Sequence, residues 1–151
     1  MADFKFAVLT HSPERLNVIS SKLGPDAATK YTDLDKRKAV KLAALGNHVL
    51  CVAGDELEGF IDSVDAATSS GFSFGGVARG TRGFRVEAEI GSGQGATAMV
   101  VGDYVVADAQ YAVGTKGLPK VKKGAPTTNK YRVMTVVGNG LAGSTVVLEL
   151  M

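Results

Sequence analysis

Phe84–Ile90, FRVEAEI, alternates without a break: Phe84, Val86, Ala88 and Ile90 fall on one parity and Arg85, Glu87 and Glu89 on the other. Successive side chains of a strand point to opposite faces, so this stretch can bury one face and wet the other only as a β-strand. STVVLEL repeats the alternation with Val146, Leu148 and Leu150, and YRVMTVV reads as a largely buried strand with Arg132 at its wet end. Nineteen glycines against four prolines, and no tryptophan, punctuate such runs with turns. The pattern predicts strands near 39–44, 48–53, 57–62, 72–78, 84–90, 97–101, 103–107, 110–113, 131–137 and 145–150. An all-β fold follows: an antiparallel sandwich, jelly roll or small barrel. At 151 residues, 45% hydrophobic and 21% charged, the chain suits one ordinary folded domain and not a disordered one.

Residues 1–38 differ in texture and are read as an N-terminal arm or extension, with the β domain over 39–151. FKFAVL suits a short strand with Phe4, Phe6 and Val8 on its apolar face. In HSPERLNVISSKLGP, Ser12 is placed to cap a short helix with Pro13 at its first position, Leu16, Ile19 and Leu23 along one face, and Gly24-Pro25 as its stop. The polar stretch 25–38 has no sustained period and reads as an extended loop.

Seventeen basic and 15 acidic side chains leave a formal charge of +2, which nominates no partner by bulk electrostatics. No apolar run approaches the roughly 18 to 20 residues of a membrane span, and MADFKFAVLTHSPERL has no basic leader followed by an apolar stretch, so synthesis in the cytosol is expected. Cys51, the single cysteine, excludes an internal disulfide and sits in a strand-like setting, HVLCVAG.

Several motifs imitate active sites. GFSFG (71–75) matches G-x-S-x-G, but a nucleophile elbow needs a helix after its serine and a histidine downstream; FGGVARGTRGF follows Ser73, and His11 and His48 lie upstream. As a strand, it would send Phe72 and Phe74 to the core and Ser73 to the opposite face. GNGLAG (138–143) matches G-x-G-x-x-G, yet the eight residues that follow read as a strand, and Asn139-Gly140 is a hairpin signal. GSGQGA (91–96) lacks the lysine of a phosphate loop and reads as a hairpin connection. His48 and Cys51 have a ligand-like gap without enough partners for zinc. Glu56, Glu58 and Asp62 share one strand parity and read as a solvated face. AGDELEGF and VGDYVVAD both open a strand with Gly-Asp, read as two turns and not a repeat. Lys116, Lys120, Lys122 and Lys123 fall in an expected loop, and Arg79, Arg82 and Arg85 follow GFSFGGV. No catalytic, metal or cofactor site is expected.

KAVKLAALGNHVLCVAGDELEGFIDSV, GFSFGGV, VGDYVVADAQ and YRVMTVVGNGLAGSTVVLEL, in that order over Lys38 to Met151, resemble the capsid decoration, or cement, proteins of tailed bacteriophages. The resemblance implies a virion protein that binds the outer surface of the assembled capsid and stabilises contacts between major capsid subunits. It would be a homo-oligomer, a homotrimer ahead of a homodimer, made in the host cytoplasm, with no enzymatic activity, cofactor, membrane or nucleic-acid partner. Phe4, Phe6 and Val8 are candidate contacts if FKFAVL reaches a neighbour; the equal alternative makes it the first strand of its own domain. Lys36, Arg37, Lys38, Arg79 and Arg82 are further candidates for capsid or subunit contacts. Rival readings are a nucleic-acid-binding β-barrel using Tyr104, Tyr111 and Tyr131, a ligand-binding sandwich, and a small enzyme uniting Ser73 or the carboxylates with His11 or His48.

Overall fold

The computed structural model describes residues 16–65, 71–110, 117–124 and 131–151. Among these, ten strands occur: β1 (Leu16–Leu23), β2 (Ala39–Leu42), β3 (His48–Leu50), β4 (Gly59–Asp65), β5 (Ser73–Gly80), β6 (Arg85–Ile90), β7 (Val105–Ala107), β8 (Lys120–Lys123), β9 (Tyr131–Val137) and β10 (Thr145–Leu150). The described residues contain no α-helix, only 3-10 turns at Asp33–Asp35 and Ser92–Gln94. The chain is all-β, as its alternation requires. Strands β1-β3-β2-β4-β5 close into a small barrel, and β7-β8-β6-β10-β9 form a second five-stranded sheet.

Pairs of adjacent apolar residues show where the two units meet. Val40, Ile61 and Val77 point into the barrel with Leu23 and Tyr31. Their neighbours Ala39, Phe60 and Ala78 point the other way, into a core shared with Phe84, Val86, Ala88, Ile90, Val133, Val146 and Leu148 of the second sheet. The register aligns Ala39 with Phe60, Phe60 with Ala78, and Ile61 with Val77. Each of β2, β4 and β5 is therefore covered on both faces, so its central residues are apolar on both parities. Phe60 meets Tyr131 of β9 edge to face, with ring centroids 5.9 Å apart, across this shared core.

The two Gly-Asp turns are geometric copies. Asp55 N–H donates to Val52 O and the Asp55 carboxylate accepts from Val52 N–H at 2.8 Å; Asp103 and Val100 make the same pair of bonds, the second at 2.9 Å. Gly54 (φ +96°) and Gly102 (φ +95°) take the left-handed conformation that such a turn needs. A lysine pairs with each carboxylate, Lys41 with Asp55 at 2.8 Å and Lys123 with Asp103 at 3.1 Å. Each turn then grips a strand of the second sheet: Gly54 N–H donates to Ala107 O and Ala107 N–H to Asp55 O, while Gly102 N–H donates to Val133 O and Val133 N–H to Asp103 O. Ala107 and Val133 lie on β7 and β9, the outermost strands of that sheet. With the isolated bridge from Tyr104, just before β7, to Arg132 of β9, these edges are occupied where a free row of amides would otherwise invite another chain.

Several expectations are corrected. The helix expected over 12–23 is, where described, strand β1, paired with β5 from Leu16↔Gly80 to Leu23↔Ser73. Val18 and Ile19 are β-branched, Ser20 and Ser21 are indifferent helix formers, and eight cross-strand pairs outweigh a single cap signal. The extension drawn over 1–38 is from Leu16 onward part of the barrel: Tyr31 enters its interior, and Arg37 N–H and Lys38 O bond Ile61 of β4. Lys120–Lys123, expected in a loop, is β8, parallel to β6 and antiparallel to β7. No strand forms over 97–101, where Met99 N–H instead bonds Gly140 O, and Gln110 lies outside a strand; 111–113 fall outside the described residues. Glu89, expected in solvent, is buried with Lys120 Nζ 3.4 Å away. GFSFGGV has the opposite facing: Ser73 is buried and Phe72 and Phe74 are half-buried. β4 bulges between Ile61 and Ser63, and a Cβ on Gly75 would lie 1.9 Å from Ser63 O. Gly75 thus serves a close backbone approach.

Phe60→Ala empties the junction between the units and is expected to cost about 3–5 kcal/mol in urea unfolding, whereas exposed Val18→Ala changes stability by no more than about 0.5 kcal/mol.

Candidate functional site

The catalytic look-alikes resolve into structural bonds. Ser73 Oγ accepts from Tyr31 N–H at 2.9 Å, and Tyr31 Oη accepts from Leu50 N–H at 3.1 Å, so this serine and phenol tie the 25–38 segment into the barrel. The GSGQGA loop surrounds an anion of the protein itself: Gly93 N–H donates to Asp108 Oδ2 at 2.8 Å, and a Cβ on Gly91 would stand 2.0 Å from that oxygen. GNGLAG connects β9 to β10, with Asn139 Oδ1 accepting from Leu141 N–H and Ser144 Oγ. Cys51 Sγ faces Glu56 O at 3.5 Å, and burial pushes its thiol pKa up to about 12, which keeps the free thiol protonated at neutral pH. Among the described residues no group of three or more His, Cys, Asp or Glu side chains converges to hold a metal ion.

The buried polar cluster lies at the barrel seam, where β1 and β3 meet through the single parallel pair Leu23↔His48. Gly24 N–H donates to His48 O at 2.8 Å, and Asn47 Nδ2 donates back to Gly24 O. His48, 2% exposed, places Nδ1 2.7 Å from Ser21 Oγ, which also donates to Lys22 O. With the hydroxyl proton on Lys22 O, the imidazole donates from Nδ1 and leaves Nε2 as a buried lone pair without a partner. Burial, then the charge of Arg79, lowers the His48 pKa below its ordinary 6.5, against a weaker opposing pull from Glu58. Ser21 and His48 were not joined by sequence reasoning because Ser21 was placed in a helix.

Two shallow hollows adjoin the contact between the units. One, of about 290 Å³, is lined by Leu57, Glu58, Arg79, Thr81, Arg82 and Tyr131 among others; the next, of about 320 Å³, shares Arg82 and reaches Glu149. Glu149 is held by Arg85 at 2.7 Å and Glu58 by Leu42 N–H at 3.0 Å. Arg79 and Arg82 are exposed and form no ion pair among the described residues; both line the first hollow with Glu58, and Arg82 lines the second with Glu149. The other basic candidates have local partners: Lys36 pairs with Asp33 at 3.3 Å, and half-buried Lys38 with Asp35 at 2.8 Å. Arg37 has positive φ (73°) and packs beside Gly117. Phe4, Phe6 and Val8 lie outside the described residues, as do His11 and Tyr111. Tyr131 is buried beneath Phe60 and offers no face for a base to stack on.

Sequence reasoning missed the exposed apolar tips. Leu42 and Leu45 (87% exposed) crown the β2–β3 hairpin, Val52 stands on the first Gly-Asp turn, and Val100 and Val101 stand on the second. Their signal was present in the Gly-Asp echo, which places valine at the outer corner of each turn. No protein-family model, curated protein or solved structure matches this chain.

Because the folded pKa of His48 is lowered, the unfolded chain takes up its proton first. The contribution of the neutral imidazole is complete above pH 6.5 and is lost as pH falls from there toward the folded value. Urea midpoints measured at about pH 7.5 and about pH 5 should therefore fall further for the native chain than for His48→Gln; parallel falls would exclude His48 as the source.

Proposed function

We propose that this chain is a virion decoration protein that binds the outside of an assembled tailed-phage capsid as a homo-oligomer and clamps neighbouring major capsid subunits. The observation that carries this reading, beside the resemblance of Lys38–Met151, is the display of apolar side chains on rigid convex tips. Val52, Val100 and Val101 are exposed on turns whose backbones are fixed by carboxylate and strand bonds. Such projections suit a protein surface, which meets convex rigid groups without an ordering cost. They suit a small-molecule site poorly, since that requires enclosure.

Arg79 and Arg82 supply the polar part of the contact. Two exposed guanidiniums three positions apart, Arg79 near the end of β5 and Arg82 on the turn that follows, fit acidic side chains on a partner's surface and steer its approach. Repetition in a symmetric oligomer makes modest contacts strong once several are made together, and selects shells with matching subunit spacing.

Co-sedimentation with mature, undecorated tailed-phage capsids tests the reading. Saturable binding to shells and not to unassembled subunits is expected. Arg79→Glu with Arg82→Glu should weaken it at least about tenfold, near 1.4 kcal/mol, without lowering the urea midpoint. Absence of binding across suitable shells, or retention of nucleic acid on the purified protein, would overturn it.

A further inference from the structure

Tyr131 carries a hydroxyl that packing does not ask for. Its ring is 2% exposed and meets Phe60 edge to face, a contact that a phenylalanine would make equally. The hydroxyl makes no hydrogen bond among the described residues, and the residue lines the hollow of about 290 Å³ together with Arg79 and Arg82. A buried hydroxyl without a partner costs stability, so its presence at this hollow points to an acceptor that arrives from outside the chain. Burial holds the phenol pKa above its ordinary 10, which keeps it a donor at neutral pH; the charge of Arg79 pulls the other way and is near enough for the phenol to feel it. The backbone carrying the two arginines is set in advance. Gly83 N–H donates to Leu150 O at 2.7 Å, Phe84 N–H donates to Thr81 O at 2.9 Å, and a Cβ on Gly80 would stand 2.4 Å from the Phe84 ring.

We propose that this hollow is a carboxylate-recognition site: an aspartate or glutamate side chain on the surface of the decorated shell enters it, pairs with the Arg79 and Arg82 guanidiniums and accepts the Tyr131 O–H as a third, buried donor. A carboxylate offers about four lone-pair sites, enough for all three donors. Glu58 is the carboxylate among the described side chains that line the hollow, and its Oε2 already accepts from Leu42 N–H at 3.0 Å. Two guanidiniums against that charge leave place for a single added negative charge, which a carboxylate supplies and a doubly charged phosphate exceeds. The hollow is shallow, so a free small acid would stay largely in water, whereas a side chain carried on a protein surface is delivered to it by the surrounding contact. Tyr131 then separates true acceptors from anions that merely gather near two arginines, because only a group that reaches the hollow's floor satisfies it.

The source of the carboxylate rests on the decoration reading; the chemistry of the hollow does not. Binding is therefore measured on two probes, mature undecorated tailed-phage capsids and poly-L-glutamate, with the full native chain and with full-chain Tyr131→Phe. The substitution keeps ring and charge and removes one donor. It is expected to leave the urea midpoint unchanged or raised and to weaken both associations about tenfold, which bulk electrostatics does not produce. If that variant fails to fold, Arg79→Lys with Arg82→Lys keeps the charge, loses the planar forks and is expected to weaken both associations by a similar factor. Failure of the native chain to bind poly-L-glutamate, or binding that the variants leave intact, would overturn the carboxylate site while shell binding still upheld the decoration reading. A lowered urea midpoint for Tyr131→Phe would also overturn it, because the hydroxyl would then serve the fold. A native chain that binds poly-L-glutamate but no shell would overturn the shell as the source, and the decoration reading with it.

Discussion

Every strand carries two rows of backbone groups, and each of the ten short strands among the described residues must find a partner for each row or leave it to water. The solution here rests on one device used twice. A valine, a glycine in the left-handed region and an aspartate make a turn whose carboxylate holds its own first amide, and whose backbone offers a donor and an acceptor to a neighbouring strand. One copy engages Ala107 on β7 and the other Val133 on β9. The second sheet thereby keeps its outermost strands occupied, and the first turn links the barrel half to that sheet.

The same economy of partners explains why the core lies where it does. β2, β4 and β5 serve as walls of the barrel and as one layer of the larger core, so Ala39-Val40, Phe60-Ile61 and Val77-Ala78 divide between the two interiors. Close packing of this kind leaves little tolerance for an added Cβ, which is why Gly75 stands where the β4 bulge presses on β5. It also leaves the seam between β1 and β3 dependent on a few polar bonds around His48.

Much of this was legible in the sequence, wherever local alternation and burial agree. FRVEAEI, YRVMTVV and STVVLEL became β6, β9 and β10 almost residue for residue, and the hairpin reading of Asn139-Gly140 matched the connection found. LNVISSKL misled because Leu16, Ile19 and Leu23 fall at helical spacing, whereas in a strand only Ile19 and Leu23 share a face, and only a partner strand far along the chain decides between them. KVKK looked like a loop because its apolar content is one residue, Val121, fully buried in the shared core. Glycine clusters were read as turns and connections, but what they surround, Asp108 in one case and a bulge in another, is a long-range contact that spacing cannot announce. Arg79 and Arg82 were picked out by charge alone; that they line one hollow while Lys36 and Lys38 pair with Asp33 and Asp35 depended on the fold.

The central claim is that the paired Gly-Asp turns hold the outer strands in place. It is tested most directly by measuring exchange of the Ala107 and Val133 amides in the native chain and in Asp55→Ala and Asp103→Ala. The account predicts strong protection of both amides in the native chain, lost selectively at Ala107 in the first variant and at Val133 in the second. Protection unchanged by either substitution would show that the turns follow the sheet's edges without holding them.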